Sequence, residues 1–367
     1  MVPYWILFLV FALGAIQATR ASAARASATQ QSIPSSVRPV KSVIETLLMP
    51  AALLTVLMIG LRYQVGGDWW TYMDIFKRIE HSSLIDALAV QEPGFSFVNW
   101  IVARAGLEIW AVNLICGGIF IYGLYVFGKT QPNPWLVFVV AVPYLVIGVG
   151  MGYTRQAVAI GLSMIGLVAV SKGSLARFVF WTLLAGLFHR SAVILIPIVL
   201  LSYSRNRLEA ILIGVAAVVL GYFVSTGGLE KLERGYLNQV YQAQGAGIRL
   251  SMNLVPSVIY LLFARRFTAD PVERTTWRTM AILGVLAFAF WLRIESTVLI
   301  DRLALYLIPL QLYVLARFPT AFARKGQASP VLVLAVIAYS AAVEFVWLVF
   351  ANHSKYWIPY RIYPLFS

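Results

Sequence analysis

The chain has 367 residues, is 60% hydrophobic and carries only 12% charged residues, with a mean hydropathy of +0.80. A soluble domain of this length needs far more charge to cover its surface, so composition excludes that class. The formal net charge of +14 would suit a nucleic-acid binder, but no aromatic–basic repeat accompanies it. It reads instead as Lys and Arg gathered in cytoplasmic loops, with no nucleic-acid partner.

Apolar runs near the length that crosses about 30 Å of hydrocarbon recur from end to end. Backbone polar groups in lipid need internal partners, which makes each run a helix. The expected class is therefore an all-α, polytopic membrane protein. The first run, Val2–Ala18, has no Lys or Arg before it and Arg20, Arg25, Arg38 and Lys41 after it. That polarity inverts a signal peptide's and predicts an anchor helix with its N-terminus outside. Residues 19–42 are Ala/Ser-rich and expected as a flexible cytoplasmic loop.

Val43–Leu61 returns outward to an acid-bearing segment, 62–92. Pro93–Gly106 is too short to span comfortably and is expected as a re-entrant or half helix. Leu107–Gly128, Trp135–Gly150 and Arg155–Val170 follow as crossings. Phe178–Leu201 is interrupted by His189-Arg190 and predicts a hairpin with its tip near the outer face. Leu208–Ser225 then leads to an outer loop at 226–249. Leu250–Ala264, Thr279–Ile294, Leu303–Leu315 and Val331–Phe350 complete about twelve crossings, and residues 351–367 form an aromatic outer tail. The whole chain, 1–367, is expected as one transmembrane domain. Cys116, the single cysteine, excludes an intrachain disulfide and a thiolate zinc cluster.

Under this topology the strongly basic loops lie inside. Most carboxylates lie outside, with the isolated Arg155, Arg190, Arg249, Arg293 and Arg302 at the ends of apolar helices. Such charges are costly beside lipid unless they face a cavity or a partner, so several on one face predict a positive outer-leaflet cavity.

Five constellations stand out there. In Gly66-Gly67-Asp68-Trp69-Trp70-Thr71-Tyr72, the glycines permit a tight turn, Asp68 can accept a proton and the aromatics can stack on sugars. An interfacial aromatic belt with an N-cap Asp accounts for the same residues. Glu92-Pro93-Gly94-Phe95 supplies a second carboxylate or an ordinary helix start. Gly148–Gly152 leads into Arg155 at a helix N-terminus, either an anion site or a snorkelling Arg. Phe188-His189-Arg190-Ser191 places a histidine at the hairpin tip. Asp301-Arg302 precedes Tyr306, which shares a helix face with Arg302, and Arg293 and Glu295 add charge nearby.

In this order the five resemble the EpsG branch of the Wzy-type polysaccharide polymerases, from about Val65 to Tyr306. The resemblance implies a GT-C-like membrane glycosyltransferase of the bacterial inner membrane. It would join undecaprenyl-diphosphate-linked oligosaccharide repeat units at the periplasmic face, without a metal or other cofactor. Its partners would be that substrate, membrane lipid, a chain-length regulator and a flippase. Asp68, Glu92 and His189 become the catalytic candidates, and Arg155, Arg190, Arg302 and Arg293 the diphosphate ligands. Trp69, Trp70, Tyr72, Asp301 and Tyr306 become the sugar contacts. A ligase would use the same leaving group, and a transporter of lipid-linked glycan would need no base. An O-acyltransferase would want His189 on the cytoplasmic side, and Gly161-Leu162-Ser163 lacks the second glycine of a protease nucleophile motif.

Overall fold

The computed structural model describes residues 1–29, 43–203, 245–293, 298–323 and 327–363, with isolated positions at 206, 208, 209, 211, 212, 215 and 365. Residues 30–42, most of the Leu208–Ser225 crossing and of the 226–249 loop, and Glu295 lie outside that set. Among the described residues every regular element is a helix, apart from one isolated antiparallel bridge between Arg62 and Ile362. Among the described residues seven helices are long and apolar enough to cross a membrane, beside three shorter apolar ones at Pro134–Gly150, Leu175–Gly186 and Arg190–Tyr203. The chain is a polytopic membrane protein.

The helices follow their sequence signals closely. α1 (Val2–Thr29) runs past Ala18, so Thr19–Thr29, expected as loop, is helix; its Ala-rich composition continues the turn without a breaker. α2 (Val43–Gly60) is an unbroken apolar run. The segment 62–92 is not all loop. It holds α3 (Trp69–Glu80) and α4 (Leu84–Val90). α3 buries Trp69, Tyr72, Ile75, Phe76 and Ile79, a helical stripe that the charged residues between them concealed. The Ser83 hydroxyl caps α4 by accepting from the Asp86 N–H.

α5 (Pro93–Arg104) has 12 residues, and at about 1.5 Å each cannot span. α6 (Ile109–Gly128) is followed by α7 (Pro134–Ala141), capped by Asn133 with Pro134 at its first turn. A nine-residue π-helical segment, Val142–Gly150, continues it. Such wide turns are rare and collect at functional sites. α8 (Thr154–Ser171) and α9 (Leu175–Gly186) come next, then a 3₁₀ turn at Arg190–Ile194 and α10 (Leu195–Tyr203). The hairpin thus breaks where His189-Arg190 interrupts the apolar run. The remaining described helices are α11 (Ala246–Phe267), α12 (Pro271–Trp291), α13 (Val298–Ala304), α14 (Ile308–Ala321) and α15 (Pro330–Phe350).

Contacts divide the chain into two compact units. Unit one comprises Met1–Phe76, Val102–Ala157 and Leu315–Ser367; unit two comprises Lys77–Ile101 and Val158–Val314. In unit one α2 lies on α6 through glycines. A Cβ on Gly60 would stand 2.7 Å from the Leu114 Cα, and one on Gly117 2.9 Å from Ile59 Cγ2. Backbone cannot yield as a side chain can. Gly60→Ala should therefore lower stability by about 1–3 kcal/mol, read as a lower melting temperature in detergent. Gly118→Ala, whose Cβ meets Val56 Cγ1 only at 4.0 Å, should leave it unchanged. Equal melting temperatures would contradict this packing.

Candidate functional site

In unit one the polar chemistry is organised by Arg62, which directly follows the α2 run and is 1% exposed. Its guanidinium donates from Nη1 to the Ile59 carbonyl (2.6 Å), from Nε to the Val65 carbonyl (3.1 Å), and from Nη2 to Asn113 Oδ1 (3.0 Å) and Thr154 Oγ1 (2.9 Å). The Trp69 ring centroid lies 5.9 Å from its Cζ. Burial brings this guanidinium down to about 10, so it remains a cation at neutral pH.

Trp69 and Tyr72 lie near this ion, and Arg155 directly follows its partner Thr154. Arg155 Cζ lies 6.0 Å from the Tyr72 ring centroid. Burial raises the Tyr72 phenol to about 12, Arg155 acts against that rise and Asp68 adds to it. The phenol thus stays protonated at neutral pH, with Arg155 favouring its ionisation and Asp68 opposing it. The ring of Trp69 is buried against Tyr63 (5.9 Å, edge-on) and Arg62, and Tyr72 is buried too. Neither presents the open face expected for sugar stacking, because both lie on the buried stripe of α3. Trp70, one position round the helix, is 63% exposed and does.

The glycines of this region serve packing. Gly66 has φ +110°, and a Cβ there would run into the Met151 carbonyl; only glycine fits both requirements. A Cβ on Gly152 would stand 2.7 Å from the Trp357 ring. That indole belongs to the C-terminal tail and is 2% exposed. Its Nε1–H donates to the Ile147 carbonyl in the π-helix (2.8 Å), and its own carbonyl accepts from the Tyr4 hydroxyl (2.7 Å). The Gly66 N–H donates to the Tyr356 carbonyl (2.9 Å), Tyr63 N–H to Arg361, and Tyr363 N–H to Leu61. The tail is therefore an integral part of unit one. The glycines thus give the tight turn expected at Gly66 and close packing around Trp357 and Met151.

Unit two gathers a second polar set. The Gly94 N–H donates to the Leu187 carbonyl (2.8 Å), and a Cβ on Gly94 would stand 2.9 Å from that oxygen. This close approach seats the Glu92–Phe95 element on the hairpin tip. His189 Nδ1 lies 2.6 Å from Ser191 Oγ and 3.2 Å from the Tyr306 hydroxyl, and Ser191 Oγ lies 3.4 Å from that hydroxyl. Glu92 is buried and within electrostatic reach of Tyr306. Tyr306 occupies a 3₁₀ turn, Leu305–Leu307, between α13 and α14. Pro309 has no N–H to continue a regular helix there, and Asn253 Nδ2 holds the Ala304 carbonyl (2.9 Å).

Asp301 is held in a salt bridge. Arg249 donates to it through both Nε (2.7 Å) and Nη2 (2.8 Å), so it is placed as the carboxylate of a bidentate pair rather than as a sugar contact. Arg190, Arg293 and Arg302 have exposed side chains. No group of three or more His, Cys, Asp or Glu spaced to hold a metal occurs among the described residues. Sequence reasoning missed Arg62, Arg249 as the partner of Asp301, and Trp357. Arg62 was detectable as a cation at the mouth of an apolar run, and Trp357 as an indole in an otherwise short tail.

Arg62→Lys keeps the charge but loses the planar fork. With four acceptors in three directions left to one ammonium, stability should fall on the order of 3 kcal/mol. A large drop in melting temperature and in membrane yield is expected, and an unchanged melting temperature would show that Arg62 does not tie these segments.

No curated protein and no solved structure matches the chain. The family model described as EpsG family matches residues 45–362. That span takes in both polar sets and the tail through Ile362, and the chain belongs to the EpsG family.

Proposed function

We propose that this chain is a polysaccharide polymerase that joins undecaprenyl-diphosphate-linked oligosaccharide repeat units at the periplasmic face of the inner membrane. Membership of the EpsG family points to polysaccharide biosynthesis in the membrane. The observation that carries the finer reading is Tyr306. Its hydroxyl belongs to the His189–Ser191 set, while its ring lines an apolar cavity of about 310 Å³ with Ile198, Leu286, Phe290, Leu303 and Leu307. One side chain thus joins a hydrocarbon groove to an acid–base group, as a substrate with a lipid tail and a reacting sugar head requires.

In the reaction, His189 is the group this geometry supports best as base. In the tautomer this reading takes, Nδ1–H donates to Ser191 Oγ, Ser191 O–H donates to Tyr306, and Nε2 is the nitrogen that receives the proton of an acceptor hydroxyl. That hydroxyl gives its proton to Nε2 as its oxygen bonds the sugar C1. The C1–O bond to the diphosphate breaks and the diphosphate leaves with both electrons. Glu92 beside Tyr306 is the alternative acceptor of the proton. Arg190 and Arg302 are exposed cations suited to the diphosphate, and Arg155 is the further candidate. Trp70 is the aromatic face available to a sugar. A GT-C-like arrangement of about twelve crossings belongs to this same reading.

Two measurements test it. Purified protein given lipid-linked repeat units should lengthen them without a partner protein. His189→Ala should lower the rate roughly 10²–10⁴-fold, and Ser191→Ala or Tyr306→Phe roughly tenfold, the effect of one hydrogen bond. Near-normal synthesis by His189→Ala at normal protein level would move the base to Glu92 or Asp68, where Glu92→Gln and Asp68→Asn decide. No bond formation by the wild type would leave the transport reading. For sidedness, Ser83→Cys should react with an impermeant thiol reagent added outside intact cells and Lys172→Cys should not. The native Cys116 is buried and adds no background. The reverse pattern would overturn the periplasmic placement.

A further inference from the structure

α15 carries a buried polar stripe that the reaction above does not use. Glu344 is 0% exposed, and neither of its carboxyl oxygens has a hydrogen-bond partner. The Ser340 hydroxyl, four residues before it, and the Trp347 Nε1–H, three after it, are buried and likewise unpartnered. Residues at these spacings share one face of a helix. Elsewhere α15 is almost wholly apolar, with Val331, Leu334, Phe345 and Val349 exposed on its outer side.

The stripe faces into unit one, where α15 packs on α1, α7 and the π-helix. α7 has no titratable residue. The π-helix offers Tyr144, whose ring stands edge-on to Trp347 at 5.9 Å. α1 offers Tyr4, whose hydroxyl is given to the Trp357 carbonyl, and Arg20 and Arg25, both exposed. The 3₁₀ turn at Ser354–Tyr356 carries Lys355, and its Nζ lies over the Tyr356 ring; His353 precedes that turn. None of them forms an ion pair with Glu344. An ionised carboxylate with no counter-charge inside a membrane helix is among the costliest arrangements a protein can hold.

We propose that Ser340, Glu344 and Trp347 form a proton-binding site inside unit one. A single proton removes the charge that no neighbour offsets, and rotation of the three side chains on their shared helix face then lets the unpartnered atoms meet. Bound to one Glu344 oxygen, it makes an O–H that donates to Ser340 Oγ. The second oxygen then accepts from Trp347 Nε1–H. The serine proton turns back to the Val336 carbonyl, the usual i−4 bond of a helical serine. No metal or organic ligand satisfies the set as completely, because Trp347 contributes a donor where a cation needs an acceptor. Trp347 also meets Trp357 edge-on at 5.4 Å, so the site adjoins the indole around which the Gly66 and Gly152 segments pack. Nothing in it depends on the reaction at His189.

Infrared difference spectroscopy of the full-length protein in lipid tests the site. At neutral pH the wild type should show the carbonyl stretch of a protonated carboxylic acid, shifted in D₂O. Glu344→Gln, which keeps shape and neutrality, should fold normally and lose that band. Ser340→Ala should move the band without abolishing it, and it serves equally if Glu344→Gln does not fold. Identical wild-type and Glu344→Gln spectra in this region, or a band that Ser340→Ala leaves unmoved, would overturn the proposal.

Discussion

A guanidinium taken wholly out of water and held by neutral acceptors is the constraint on which unit one depends. Removing such an ion from solvent costs several kcal/mol, and only well-made hydrogen bonds offset it. Arg62 uses four of its five donors on Ile59, Val65, Asn113 and Thr154. Those acceptors sit at the end of α2, in the following loop, in α6 and at the start of α8. None of the four segments can drift without stranding a charge. Thr154 precedes Arg155 directly, and Val65 precedes Gly66-Gly67-Asp68, so the ion that orders the backbone also sets where Asp68, Tyr72 and Arg155 meet.

The tail completes what Arg62 begins. Gly66 and Gly152 look in sequence like two unrelated turns, one after α2 and one before α8. In space they share neighbours: Met151 against Gly66, Trp357 against Gly152, and the Tyr356 carbonyl on the Gly66 N–H. An indole supplies a large flat surface with one donor at its edge. Here the surface presses on Gly152, and the donor reaches the Ile147 carbonyl inside the π-helix, where hydrogen bonding departs from the regular α pattern.

Much of the fold was legible because lipid leaves the backbone few choices. Apolar run length located α2, α6, α8 and α15 within a residue or two, and the polar pair His189-Arg190 located the break in the hairpin. Amphipathic α3 was less legible, since its buried stripe is dispersed among Asp74, Lys77 and Arg78 in a segment read for its charges. Local sequence could mark His189, Ser191 and Tyr306 as unusual, and the structure brings them to hydrogen-bonding distance. The Trp357 contacts were beyond reach, because nothing local in an aromatic tail states which glycines, some 200 to 300 positions earlier, lack a Cβ to make room for it. The same limit hid Arg249 and Asp301 as a pair.

That pair also shows how a cation-rich face can be sorted by the use of its donors. An arginine can clamp a diphosphate only with N–H groups not already engaged by the fold. Arg62 has four donors engaged and no exposure. Arg249 presents its fork to Asp301, which also cancels its charge locally. Both are arginines of architecture, although Arg249 has the same sequence setting as the others, a lone cation near an apolar helix end. Arg190 and Arg302 differ in being exposed: Arg190 follows His189 in sequence, and Arg302 lies four residues before the buried Tyr306. A base works best near neutral pH when no cation sits directly on it. A leaving diphosphate needs cations nearby as its charge develops. In the proposed reaction, Arg190 and Arg302 would meet the second demand and the hydroxyl-bound imidazole of His189 the first.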